Sequence, residues 1–163
     1  MSLHSAHEPV LNDAILYPPD TIIERVDVWS ANIADKTGGL SWLLKGMDEA
    51  GADFNFIIAR RTPENPGSGV VFVTPIRGDR EVKAASTLGF SLTRSVDAVC
   101  FEADNKPGAT ARLTGLIADA GINIRGLSVA VSGTRFVAYI GFDSTNDAET
   151  AISIFQGAGA ALI

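Results

Sequence analysis

The sequence predicts an α+β protein. It should contain two βαββαβ units, with the helices packed on one side of antiparallel sheet. Three observations carry this prediction. The stretch 105–124, NKPGATARLTGLIADAGINI, reads as a glycine turn, an amphipathic helix, a second glycine turn and the start of a strand. The same pattern recurs seventy residues earlier at 35–54, DKTGGLSWLLKGMDEAGADF. Between and after these stretches lie short apolar runs of strand length, in the same order in both halves.

The repeat is ungapped over most of its matched positions. Asp35 falls on Asn105, Lys36 on Lys106, Gly38 on Gly108, Leu43 on Leu113 and Gly51 on Gly121. Upstream, Val26-Asp27 falls on Val96-Asp97. The register slips at the loop TPENP (62–66) and recovers with Val82 on Ile152 and Gly89 on Gly159. A match at both ends of so long a unit indicates duplication, and two copies fit a two-lobed body better than a solenoid.

Taken in order, residues 1–24 match neither repeat and read as an N-terminal arm. The first unit spans 25–95. RVDVWSANI (25–33) is its first strand, and the helix after the glycine turn turns Leu40, Leu43, Met47 and Ala50 inward. FNFIIARR (54–61), GVVFVTPI (69–76) and FSLTR (90–94) are strands, with GDREVKAASTLG a helix before the last. The second unit, 96–163, repeats the order: VDAVCFEA, a helix over 107–120, INIRGLSVAV, RFVAYIGF, a helix over 146–157, and AALI. Pro107 suits a first helical turn, where its missing N–H would be unpaired anyway. Asn146 and Asp147 are capping candidates for the last helix.

This order is the split-βαβ, or ferredoxin-like, arrangement. The strands are apolar on both faces: Phe136, Ala138 and Ile140 alternate with Val137 and Tyr139. A sheet with one solvated face alternates apolar with polar residues. The second face is therefore expected to be covered, by the other unit or by a second copy, and a homodimer is predicted. Gly46 stands where the other copy has Leu116, a candidate for close approach by another backbone.

Composition excludes several functions. The net charge of −6 argues against nucleic acid and anionic membranes as partners. No apolar run approaches the roughly 20 residues that cross a bilayer. The N-terminus lacks a basic segment followed by an apolar core, so a cytoplasmic protein is expected. One cysteine, Cys100, and two histidines, His4 and His7, leave no disulfide framework and no Ser-His or Cys-His pair in the body. Catalysis, a metal centre and a cofactor are not predicted.

The turns DKTGG and NKPGA, closed by AGADF and AGINI, resemble tandem ACT domains, small regulatory modules that commonly bind amino acids. The resemblance covers about 25–163, and the second copy matches better, since Thr37 replaces a proline and Asp53 an asparagine in the first. It implies a free-standing regulatory protein whose partners are an amino acid or similar small carboxylate and a regulated enzyme. The ligand positions it implies are Asn105, Gly108, Ala109, Asn123 and Ile124, with Asp35, Gly38, Gly39 and Asp53 in the first copy. Amides at a helix N-terminus next to the positive end of the dipole suit a carboxylate. Asn123 would accept from the ammonium group, and the second copy is the favoured site. Lys36 and Lys106 hold equivalent turn positions; a lysine there is expected to be solvated, with steering of an anion the lesser reading. Trp42, which does not recur, reads as core packing or subunit contact. The competing reading makes the turns scaffold only, in a protein that assembles with itself or an enzyme and binds no ligand.

Overall fold

The computed structural model describes residues 20–159. Its strands form two four-stranded antiparallel sheets rather than one combined sheet. Each sheet carries two helices on one face, so the α+β ferredoxin-like expectation holds unit by unit.

The first unit runs β2 (Trp29–Ala34), α1 (Gly39–Glu49), β3 (Phe56–Arg61), β4 (Ser68–Thr74), α2 (Gly78–Thr87) and β5 (Ser91–Leu92), with β1 (Ile22–Val26) preceding it. Its sheet order is β3-β4-β2-β5. Ala31, Val71 and Val73 point toward α1 and α2, where they meet Leu43, Met47 and Ala85. Gly46 lies on the seam between those helices. A Cβ there would sit 2.7 Å from a methyl of Leu88, so the close approach is made by a side chain and not by another backbone.

The second unit contains β6 (Asp97–Asp104), α3 (Ala109–Asp119), β7 (Gly126–Ser132), β8 (Arg135–Phe142) and α4 (Thr145–Ala158). Val99, Phe101 and Ala103 of β6 join Phe136, Ala138, Ile140 and Phe142 of β8 under α3 and α4. Phe101 contacts Phe136 and Phe155 edge-on, with centroids 6.1 and 5.5 Å apart, a geometry that aromatic quadrupoles favour. Ser144 caps α4 by accepting from the Asp147 N–H at 3.1 Å, so the capping residue is Ser144 rather than Asn146 or Asp147.

The sheet order of the second unit, β1-β6-β8-β7, changes the division of the chain. β1 pairs antiparallel with β6, Ile22 opposite Glu102 and Val26 opposite Ala98. A boundary after residue 24 therefore cuts through a strand, and RVDVWSANI is two strands in different sheets, broken at Asp27-Val28. β1 fills the outer position that the repeat pattern reserves for AALI (160–163), which lies outside the described residues, as does most of the N-terminal arm. Ile23 on β1 packs against the second core, which gives the strand an apolar reason to stay.

Candidate functional site

The two glycine turns share their main hydrogen bonds at a shift of seventy. Gly39 N–H donates to Lys36 O and Ala109 N–H to Lys106 O, both at 3.1 Å. Gly51 and Gly121 close the helices through Asp48 O and Ala118 O at 2.8 and 2.9 Å. Gly38 and Gly108 open the helices at φ 83° and 82°, a left-handed conformation that costs a residue with a Cβ about 1–2 kcal/mol. Neither α1 nor α3 receives a side-chain cap; with the Gly39 and Ala109 N–H groups bonded inside the turn, the next two N–H groups of each helix are the ones open to an outside acceptor.

The turns differ in what surrounds them. At the first, a cavity of about 490 Å³ is bounded by Asn32, Lys36, Gly38, Gly39 and Trp42. Gly39 is needed there, since a Cβ would lie 2.8 Å from Ala34 O. Trp42 is 65% exposed and stands beside the turn, not in the core. Asp35 is engaged by Arg61 at 3.1 Å, which ties the end of β3 to the turn. At the second turn, Arg112 occupies the place of Trp42 and donates to Pro107 O at 3.0 Å. Ala109 is buried under the helix and Asn105 is exposed, its N–H donating to Thr134 O at 2.7 Å.

Asn123 and Asp53 are exposed but lie at the far ends of α3 and α1. Each helix has 11 residues, which at 1.5 Å per residue separates Gly108 from Asn123, and Gly38 from Asp53, by roughly 16 Å. Ile124 packs against the second core. One unit thus brings together Asn105, Gly108 and Ala109, or Asp35, Gly38 and Gly39, but not the helix-end residues with them. Trp42, read from the sequence as core packing or subunit contact, is the residue missing from the sequence-based site. Its place in the first turn of the helix, four residues after Gly38, was the available signal.

On the side of its sheet away from α3 and α4, Cys100 is buried and hydrogen-bonded with Tyr139. Burial pushes the Cys100 thiol up to about 11, against the lowering effect of that hydrogen bond and with help from Glu24 and Glu102. Among the described residues no group of three His, Cys, Asp or Glu could hold a metal ion, and no helix is long and apolar enough to cross a membrane.

Residues 99–151 match the sequence profile of the ACT domain family. This segment is an ACT domain. It runs from β6 into α4, and the first unit repeats its turns, helices and sheet order around it. The fold of the chain is similar to protein BT0572 from Bacteroides thetaiotaomicron, at 16% identity and TM-score 0.68, over 80% of this chain and 88% of that one. It is also similar to the ligand-free regulatory subunit of aspartate kinase from Thermus thermophilus, at 16% identity and TM-score 0.59, over 86% and 96% of the two chains. The corresponding subunit from Thermus flavus aligns at 17% identity and TM-score 0.56, over 85% and 95%. At such identities the likeness is one of fold, and it extends over both units. No curated protein matches the chain.

Proposed function

We propose that this chain is a non-catalytic regulatory module that binds a small carboxylate, an amino acid foremost, and transmits its occupancy through assembly with itself and with an enzyme in the cytoplasm. The observation that carries the reading is the cavity at the first glycine turn, where uncapped helix amides, Lys36 and the exposed ring of Trp42 converge. The amides and lysine suit a carboxylate, and the indole face suits a side chain or an ammonium group. ACT-domain membership and the likeness to regulatory subunits support the class of function.

The separation of Gly108 from Asn123 bears on assembly. An amino acid cannot span roughly 16 Å, so a ligand touching both kinds of residue draws one of them from the other unit or from a second copy. The outer strands β3 and β7 expose Ile57, Ile58, Leu127, Val129 and Val131, and such apolar edges invite pairing with another chain. A homodimer with ligand at its seam accommodates both features.

The test is a thermal-shift screen of the twenty amino acids on wild type, Trp42→Ala and Lys36→Ala. One amino acid should raise the melting temperature of wild type, because a ligand selective for the folded state stabilises it. Both variants, altered at exposed positions, should keep the wild-type melting temperature without ligand and lose the shift with it. A flat wild-type response to all twenty would favour the assembly module without a ligand.

A further inference from the structure

The sheet faces turned away from the helices meet in a second cavity, of about 530 Å³, that shares no residue with the first turn. Strand register builds it. Ile58 lies opposite Phe72, and Arg60 opposite Val70, on the side of the first sheet away from α1 and α2. Ser128 and Cys100 flank Tyr139 on the corresponding side of the second sheet. The rings of Phe56 and Tyr139 bridge the two sheets, with centroids 4.5 Å apart at 31°. Its volume falls in the range of small-molecule sites, about 300–1,000 Å³.

Its charge runs against that of the molecule. The chain carries 19 acidic residues against 13 basic ones, yet the described residues lining this cavity include two arginines and no carboxylate. Arg125 is paired with Asp143 at 2.7 Å, while Arg60 has no ion pair among the described residues. Thr93, also in the wall, has a hydroxyl shielded from solvent without a hydrogen-bond partner. A guanidinium recognises a planar carboxylate through parallel N–H···O bonds, and Phe56, Phe72 and Tyr139 offer ring faces. Without an acidic group in the wall, an ammonium there would find no ion-pair partner.

We propose that this cavity between the units binds a small aromatic carboxylate lacking an α-ammonium group, with Arg60 as the anion anchor. The site stands apart from the amino-acid site proposed at the glycine turn. A ligand in it touches both units and favours the arrangement in which their bare faces meet.

The experiment is an amide-resolved NMR titration with phenylacetate, phenylalanine and 2-phenylethanol. Phenylacetate should move the amides of Ile58, Arg60, Ser128 and Tyr139 and leave those of residues 36–42 in place. Phenylalanine should bind there about tenfold more weakly. Arg60→Ala should weaken phenylacetate by about tenfold, as expected for loss of a charge-assisted hydrogen bond, and leave 2-phenylethanol unchanged. Arg60→Lys should recover part of the loss. Absence of shifts at these four amides, equal binding of phenylalanine, or an unchanged phenylacetate affinity in Arg60→Ala would each overturn the proposal. Those results leave the thermal-shift screen at the first turn unaffected, so the two readings fail separately.

Discussion

Cys100 shows how one side chain reports on the sheet around it. In the folded protein its thiol holds its proton up to about 11, raised from 9.0, because burial disfavours the thiolate more than the Tyr139 hydrogen bond favours it. The unfolded chain releases that proton near its ordinary value. Between about pH 9 and 11 the unfolded state therefore binds fewer protons than the folded state, and stability falls as pH rises. Tyr139 is shifted upward as well, first by burial and then by its neighbour Cys100, and adds to the fall at the upper end of that window. Urea midpoints measured from pH 8 to 11 should drop more steeply for wild type than for Cys100→Ala. Parallel slopes would show that the thiol titrates as freely in the folded protein as in the unfolded one. That Cys100 is buried was readable from the apolar run containing it. Its tyrosine partner lies 39 residues along, across a strand pair, where no local pattern points.

Among the elements, the helices were the most legible, since apolar spacing, glycine stops and the repeat all agree on α1 and α3. Their glycines proved decisive: Gly38 and Gly108 hold left-handed turns that other residues enter only at a cost. The start of α4 was less legible because Ser144, Asn146 and Asp147 all have capping chemistry, and the choice among them depends on backbone geometry. Ser144 has the extended φ and ψ that aim its hydroxyl back at the helix. Ser144→Ala should cost about 1 kcal/mol in chemical denaturation, whereas Asn146→Ala should change little. The site was legible only in part. The turns could be found from their glycines, but the distance between Gly108 and Asn123 is set by the length of the intervening helix. The cavity around Trp42 is made by residues whose convergence has no one-dimensional signature. β1 was missed for a related reason: its partner strand begins 75 positions after its own first residue, and the duplication drew the eye to a boundary that pairing ignores.

At the scale of the whole molecule, the two units are not arranged as successive beads. Val26 faces Ala98 across the pair formed by β1 and β6. Trp29 faces Leu92 across β2 and β5. The first unit thus leaves the second sheet and returns to it at neighbouring points, with its own two ends side by side. In genetic terms it is a cassette spliced into the bend of a hairpin, and a cassette with adjacent ends can be lifted out. Replacing residues 27–97 with a short turn such as Asn-Gly would rejoin β1 to β6 as an ordinary hairpin. The shortened chain should unfold cooperatively in circular dichroism and retain the second core intact. A chain cut at a single bond between residues 93 and 96 should hold together on a native gel, because each unit is still fastened through the other connection.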